Sequence, residues 1–155
     1  MLAVVQRVRE ARVDVGERLV GSIGQGLVVL IAVKTGDTGE AATYIATKLA
    51  TLRIFGDEAG KMNLSVQEVG GAVLIVSQFT LYGETRKGRR PSFTKSARPE
   101  EAEPLIGQVV SSLQDQGIPV ACGEFGAMMQ LSLSNDGPVT IILDSDDREI
   151  PRRQA

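Results

Sequence analysis

An unbroken apolar run, residues 27–33, restricts most strongly what this chain can fold into. It follows the turn-forming residues Gly24-Gln25-Gly26, and its length and β-branched content are typical of a strand that is buried on both faces. A second run, 72–81, follows Gly70-Gly71 and changes from apolar to polar towards its far end. We therefore predict two central strands, the second of which carries hydrogen-bonding side chains at its C-terminal end.

Weaker β patterns surround these two runs. The valine-rich segment 4–15 alternates imperfectly between apolar and polar residues and turns at Gly16-Glu17. A turn signal at 135–138 separates two later strands. The additional strands predicted in this way are 4–15, 19–23, 120–124, 128–134 and 139–143.

Two segments have helical spacing. The first covers residues 38–52, where Asp37 and Glu40 resemble a capping pair. The second begins at Pro99, has acidic residues in its first turn, and ends at Gly117. Many strands and only two helices, without a regular βαβ rhythm, predict an α+β fold. We expect two packed, largely antiparallel β-sheets in a barrel-like arrangement, with the two helices covering one side.

A chain of 155 residues is in the size range of one compact domain. We assign 1–145 to a single domain and 146–155 to a charged, flexible tail. The only cysteine, Cys122, cannot form an intramolecular disulfide, and its place in a predicted strand favours a structural role as a small core residue. Charges near the start of the chain and the shortness of the apolar runs argue against a signal peptide and a membrane helix, so we expect a cytoplasmic protein without membrane contact.

Positive charge is concentrated in one segment. Six basic residues and no acidic one lie between Arg86 and Arg98, so removing them from the net charge of -2 leaves -8 for the rest of the chain. A local basic patch on an acidic body is expected of a protein that binds a phosphate backbone, although a solvated basic loop has the same composition.

The absence of histidine narrows the chemistry. Serine-histidine and cysteine-histidine hydrolase mechanisms are excluded, and a zinc site is implausible with one cysteine. Neither a Walker A loop nor a dinucleotide fingerprint is present. The carboxylates Asp144, Asp146 and Asp147 suit magnesium, but a solvated chain end is the simpler interpretation. We expect no metal and no cofactor.

The segment Ser77-Gln78-Phe79-Thr80-Leu81-Tyr82-Gly83 places polar groups at the end of an aliphatic strand. By strand alternation Ser77 and Phe79 face one side while Gln78 and Thr80 face the other. Buried hydroxyl and amide groups need hydrogen-bond partners, so this cluster either completes an internal network or lines a site.

A second segment, Asn135-Asp136-Gly137-Pro138-Val139-Thr140, contains a Gly-Pro pair whose peptide the sequence alone does not predict to be cis. Together the two segments closely resemble the paired signatures of the D-aminoacyl-tRNA deacylase family. The resemblance runs from Met1 to about Ser145, with the motifs in the family's order and spacing. Its other matching segments are Gln6-Arg7-Val8, Asn63-Leu64-Ser65, 87–93, 99–105 and Phe125-Gly126-Ala127. One departure is Met128, where the family often has an acidic residue.

The resemblance implies a homodimeric hydrolase that removes D-amino acids from the 3'-terminal adenosine of tRNA and so proofreads chirality in translation. It implies that Ser77, Gln78, Phe79 and Thr80 form the catalytic pocket floor around the scissile ester. It also implies that Gly137-Pro138 is a cis element projecting into the partner subunit's pocket. By the same resemblance Arg7 fixes that element, and Phe125 and Met129 border the terminal adenosine.

An aminoacyl ester is already activated, so the enzyme mainly needs to position it, supply a water and stabilise an oxyanion. Backbone N–H groups near Phe79 and Thr80 are candidate oxyanion donors. Thr80 is a candidate nucleophile without an evident base, so we favour activation of the water by the substrate's own 2'-hydroxyl. A main-chain wall at Gly137-Pro138 would reject an L side chain, and glycyl-tRNA, which has none, should also be cleaved.

In this scheme tRNA phosphates contact the basic segment (residues 86–98). The residues predicted to make these contacts are Arg86, Lys87, Arg89, Arg90 and Lys95. The competing hypothesis is a non-catalytic nucleic-acid-binding module that uses the same segment. Such modules usually stack bases on exposed aromatic residues, and the chain has only two Tyr and four Phe.

Overall fold

One six-stranded mixed sheet organises the chain in the structure, a computed structural model that describes residues 1–154. The strands are β1 (Leu2–Val15), β2 (Arg18–Ile23), β3 (Gly26–Ala32), β4 (Phe55–Gly56), β5 (Met62–Leu64), β6 (Ala72–Ser77), β7 (Val120–Cys122) and β8 (Gln130–Asp144). The helices are α1 (Gly39–Thr51) and α2 (Pro99–Asp115), and short 3-10 segments cover Phe79–Tyr82, Ser145–Glu149 and Arg152–Gln154. Strands β4 and β5 form a separate two-stranded sheet.

The long strand β1 is the centre of the antiparallel part of the sheet. On one side it pairs with β2 and β3 in one continuous register as far as Val13, because Ala11 lies opposite Ile23 and Val8 lies opposite Gly26. Strands β2 and β3 are therefore one long partner strand that is interrupted at residues 24–25. On its other side β1 pairs with β8 along most of its length.

Strands β6 and β7 add to β3 in parallel, so the sheet is mixed and not largely antiparallel as the sequence suggested. Parallel neighbours need a crossover connection, and here α1 lies in the connection from β3 to β6 and α2 in that from β6 to β7. The strands also form one curved sheet plus the small β4–β5 pair, where we expected two packed sheets. The α+β class with two helices is confirmed.

The sheet curls until β2 approaches β7, which gives the barrel-like shape. Glycine permits this approach, because a Cβ on Gly21 would lie 2.7 Å from the carbonyl oxygen of Cys122. The main core lies between the sheet and the two helices, where α1 buries its alanine and leucine stripe and α2 buries Ile106, Val109 and Leu113. No helix in residues 1–154 is long and apolar enough to cross a membrane.

Three local predictions are wrong. Asp37 does not cap α1, since its Oδ2 accepts from the Lys34 N–H at 2.7 Å and the N-cap residue is Thr38, whose side chain makes no capping hydrogen bond. Cys122 is exposed, because β7 lies at the end of the sheet path and is only three residues long. The turn expected at 135–138 does not divide two strands, because β8 continues through it against β1.

Candidate active site

A cavity of about 670 Å³ opens where β6 ends (the main cavity). Its walls come from the end of β6, the segment between residues 93 and 99, the start of α2 and the chain between residues 125 and 131. Five of the predicted site residues meet there. They are Ser77, Gln78, Phe79, Phe125 and Met129. Thr80 and the tip of β8 are not among the lining residues.

Strand β6 ends at Ser77 because its neighbour β3 ends there too. Ser77 pairs with Ile31, and the last bond of the ladder runs from the Gln78 N–H to the Ile31 carbonyl oxygen at 2.8 Å. The chain then turns into the 3-10 segment Phe79–Tyr82 (the Phe79 turn), so the strand alternation predicted for residues 77–80 is wrong beyond Ser77.

The Phe79 turn leaves two main-chain donors free. The Leu81 N–H donates to the Gln78 carbonyl at 3.2 Å and the Gly83 N–H to the Thr80 carbonyl at 2.9 Å. The N–H groups of Phe79 and Thr80 have no acceptor among the described residues. Main-chain donors that the fold does not use are suited to stabilise an oxyanion.

Two side chains of the same segment, Gln78 and Thr80, are hydrogen-bonded to each other. The Gln78 side-chain amide donates to the Thr80 hydroxyl oxygen. An amide is not a base, so this contact orients the threonine hydroxyl without activating it as a nucleophile.

Aromatic and sulfur-containing side chains form an apolar rim. Phe79 is 54% exposed and makes an edge-to-face contact with Phe93, with ring centroids 5.2 Å apart. Met128 also lines the cavity, is 91% exposed and follows Phe125 by three residues. An apolar rim of this kind suits a flat base or an apolar side chain.

The Gly-Pro pair lies on a bulge of β8, residues 136–139 (the Gly137 bulge). The pairing passes from Gln6 opposite Thr140 to Val8 opposite Asn135, so four residues of β8 face one residue of β1. The Gly137–Pro138 peptide is cis, and both residues are exposed.

Arg7 and Asn135 hold the Gly137 bulge in place. The Arg7 guanidinium donates to the Asp136 carbonyl at 3.2 Å and to the Ile54 carbonyl at 2.6 Å. The Asn135 amide donates to the carbonyls of Arg7 and Val139, at 2.9 and 3.0 Å. The bulge is thus a fixed main-chain surface whose residues are not among those that line its own subunit's main cavity.

The basic segment begins as a loop beside the main cavity. Glu84 and Ser92 pair through both backbone hydrogen bonds, at 2.7 and 2.9 Å, and close this loop. The predicted phosphate-binding residues Arg86, Lys87, Arg89, Arg90 and Lys95 are all exposed. Glu84 pairs with Arg86 at 3.5 Å and with Lys95 at 3.6 Å, which holds two of the five cations near the loop base.

The carboxylates at the end of β8 serve the fold. Asp146 pairs with the Lys34 ammonium at 2.5 Å. This hydrogen bond is the main cause that lowers the pKa of Asp146. The Asp144 side chain accepts from the Asp146 N–H at 2.9 Å. Within residues 1–154 no three metal-binding side chains form a cluster.

Several lining residues were not identified from the sequence as site residues. They are Phe93, Ser96, Ala97, Pro99, Ala102 and Ile106. Phe93, Pro99 and Ala102 belong to segments that carry the family resemblance, so the sequence contained information that could have identified them. Nothing in the local sequence around Ser96 indicated that it would face the end of β6.

Known proteins match this chain over nearly its whole length. The family model described as D-Tyr-tRNA(Tyr) deacylase matches residues 4–144. A D-aminoacyl-tRNA deacylase of Chloroflexus aurantiacus is 58% identical over 153 residues, which is 99% of this chain and 96% of that protein. One of Thermus aquaticus is 54% identical over 148 residues, 96% of this chain and 97% of that protein.

Solved structures show the same fold. A c-Myc DNA unwinding element binding protein superimposes with a TM-score of 0.87 at 39% identity, covering 93% of this chain and 98% of that one. A probable eukaryotic D-amino acid tRNA deacylase gives a TM-score of 0.80 at 20% identity, covering 92% and 97%. Since the family model and relatives above half identity span almost the entire chain, the protein belongs to the D-aminoacyl-tRNA deacylase family, hydrolases that act on the ester of aminoacyl-tRNA.

Proposed function

We propose that the main cavity is the site where this deacylase hydrolyses the ester between a D-amino acid and the 3'-terminal adenosine of tRNA. The observation that carries the proposal is the pair of free N–H groups on the Phe79 turn, which begins at the cavity wall where Ser77, Gln78 and Phe79 lie. Charged tRNA is made in the cytoplasm, so we place this proofreading reaction there.

The Phe79 and Thr80 N–H groups are the proposed oxyanion donors. As water attacks the ester carbonyl, negative charge develops on its oxygen, and fixed main-chain dipoles stabilise that charge without reorganising. Removing one such donor in other hydrolases costs roughly 10²–10³ in kcat.

The attacking water is activated by the substrate in this proposal. The chain has no histidine, and the group in contact with the Thr80 hydroxyl is the Gln78 amide, which cannot take its proton. The 2'-hydroxyl of the terminal adenosine is next to the ester by covalent structure. It is therefore the group best placed to orient and polarise the water.

Chirality is selected by the Gly137 bulge of a second subunit. The bulge is exposed and lies outside its own subunit's main cavity, so it can border an ester only when another copy supplies it. The same strand presents Ile142, which is 68% exposed, and β8 pairs only with β1 within residues 1–154. A homodimer formed through this strand would bury the apolar side chain and bring Gly137 and Pro138 to the partner subunit's site.

At that site the carbonyl oxygens of the bulge would accept hydrogen bonds from the substrate ammonium. A D side chain would then point away from the main chain, whereas an L side chain would collide with it. Glycine has no side chain to reject, so glycyl-tRNA is a second proposed substrate. Phe125 and Met129 line the same cavity as Ser77 and Gln78 and are the proposed contacts of the terminal adenosine.

The proposed tRNA contacts follow from position and charge. Arg86, Lys87, Arg89, Arg90 and Lys95 lie between the Phe79 turn and α2, on the chain that also lines the cavity through Phe93 and Ser96. A 3' end that enters the main cavity would bring its phosphates past these side chains. A non-catalytic nucleic-acid-binding role would use the same cations but would leave the free N–H groups without a purpose.

The direct test is release of free amino acid from D-tyrosyl-tRNA, with L-tyrosyl-tRNA and glycyl-tRNA in parallel. We expect rapid cleavage of the D-form, slower cleavage of the glycyl form and no acceleration for the L-form. Equal rates for D- and L-tyrosyl-tRNA would contradict the proposed wall. Binding of all three tRNAs without hydrolysis would favour the non-catalytic alternative.

A further inference from the structure

Ser96 makes a hydrogen bond that none of the roles above uses. It lies on the wall of the main cavity, and its hydroxyl donates to the carbonyl oxygen of Phe79 at 3.0 Å. The two residues are 17 positions apart in sequence. The contact therefore ties the Phe79 turn to a separate stretch of chain.

The backbone around Ser96 is itself fixed. The Thr35 N–H donates to the Lys95 carbonyl at 2.9 Å, and the Ala97 N–H donates to the Val33 carbonyl at 2.9 Å. Lys34 lies opposite Ser96 as in a β-ladder. Ser96 is thus held on both sides by the chain that leaves β3, so its hydroxyl offers a firm anchor.

The peptide that joins Phe79 and Thr80 links the hydrogen bond of Ser96 to the orientation of the Thr80 N–H. In a planar trans peptide the carbonyl and the following N–H point in opposite directions, so fixing one fixes the other. Gly137–Pro138 is the only cis peptide in residues 1–154, so the 79–80 peptide is trans. Holding the Phe79 oxygen on Ser96 therefore sets the direction of the Thr80 N–H, which has no acceptor in the described chain.

We propose that Ser96 is a positioning residue for ester hydrolysis, because its hydroxyl fixes the 79–80 peptide and thereby aims the Thr80 N–H at the developing oxyanion. The inference rests on the proposed function of the Phe79 turn. Ser96 acts through Thr80 and does not itself donate to the reacting atoms. Its loss should thus weaken the transition state while leaving ground-state binding almost unchanged.

The test compares Ser96→Ala with Ser96→Thr and with a matched control, Thr35→Val. The Thr35 hydroxyl donates to the Ser96 carbonyl at 3.3 Å, so Thr35→Val removes a bond of the same strand pair without touching Phe79. We expect Ser96→Ala to lower kcat for D-tyrosyl-tRNA by about 10- to 100-fold with KM unchanged, since small displacements of a catalytic group have effects of that order. Ser96→Thr keeps the hydroxyl and should restore most of the rate, and Thr35→Val should match the unchanged protein.

A second readout does not depend on activity. The backbone amide resonance of Thr80, followed by ¹⁵N NMR, should move in Ser96→Ala, return in Ser96→Thr and stay in place in Thr35→Val. An unmoved Thr80 resonance would overturn the inference even if the protein proved inactive on every tRNA, whereas a moved resonance in an inactive protein would reject only the proposed function. A rise in KM at constant kcat would also overturn it, because Ser96 would then be a substrate contact. So would an equal loss of kcat in Thr35→Val, because the role would then be general to the strand pair.

Discussion

Arg7 and Arg9 both reach Asp136 at the base of the Gly137 bulge, but from different surroundings. Each has its Nε 3.5 Å from a carboxylate oxygen of Asp136. The Arg7 side chain is only 14% exposed and also donates to two carbonyls, whereas the Arg9 side chain is 79% exposed. The two arginines therefore form a natural pair of matched variants, in which the same ion pair is lost with and without a partly buried anchor.

Arg7→Ala removes two hydrogen bonds from a charged donor, each worth about 1.5–3 kcal/mol, and leaves the Ile54 carbonyl without its partner. Allowing for partial solvation, we expect a loss of about 3 kcal/mol in the free energy of unfolding. For a chain of this size that lowers Tm by roughly 6–12 °C. Arg9→Ala breaks only an exposed pair, worth about 0–1 kcal/mol, and should lower Tm by less than about 4 °C.

Activity should separate the two variants further. The unanchored bulge no longer presents a fixed main chain, so Arg7→Ala should lose roughly 100-fold in kcat/KM for D-tyrosyl-tRNA, while Arg9→Ala keeps its rate. Arg7→Lys retains the charge but not the forked geometry of the guanidinium, so its kcat/KM should lie between those of Arg7→Ala and Arg9→Ala. Thermal unfolding followed by circular dichroism and initial rates below Tm measure both effects. Equal shifts in Tm for Arg7→Ala and Arg9→Ala would refute the reasoning, and so would a destabilised Arg7→Ala with full activity.

Three further predictions concern the proposed mechanism. D-tyrosyl-tRNA ending in 2'-deoxyadenosine should be hydrolysed at least about 100-fold more slowly than the ribose form in single-turnover assays, and an unchanged rate would reject activation by the 2'-hydroxyl. Replacing Arg89 and Arg90 by Ala should weaken tRNA binding at low salt and flatten the slope of log K against log salt by about 2, and a slope equal to that of the unchanged protein would exclude these contacts. Co-expressed subunits carrying Ser96→Ala in one and Gly137→Ala in the other should recover activity that both homodimers have largely lost, because one composite site is then intact. Absence of recovery in purified heterodimers would show that the bulge does not act across the interface.

The strands at 27–33 and 72–76 could be predicted from the sequence. A strand that is buried on both faces is a continuous apolar run, and such a run is visible without knowing which strands pair with it. The end of β6 could not be predicted, since Ser77 is the last strand residue only because β3 also stops there. The sequence of residues 77–81 suits a strand equally well, and the Phe79 turn is imposed by the neighbouring chain. Long-range pairing in this case overrides local propensity.

The prediction of a turn at the Gly137 bulge was wrong for a related reason. A Gly-Pro pair after Asn-Asp is a turn signal when the chain reverses, but here β1 pairs with β8 on both sides of it, and the strand resumes in a shifted register. Asp37 likewise has the composition of a capping pair with Glu40, yet its carboxylate is used by the Lys34 N–H. In both cases contacts outside the predicted element determine the structure. For the bulge this is the pairing with β1, and for Asp37 it is the Lys34 N–H together with the N-terminal ammonium of Met1 at 2.7 Å.

The proposed contacts with the ester come mainly from the main chain, and this explains which side chains surround the site. A backbone N–H or carbonyl has no rotamer of its own, so its aim depends entirely on what holds the peptide. Arg7 and Asn135 hold the Gly137 bulge, and Ser96 holds the Phe79 turn. Substitutions at these anchors should therefore damage turnover more than their distance from the ester suggests, while Thr80, the obvious side-chain nucleophile in the segment, is bonded to an amide that cannot activate it.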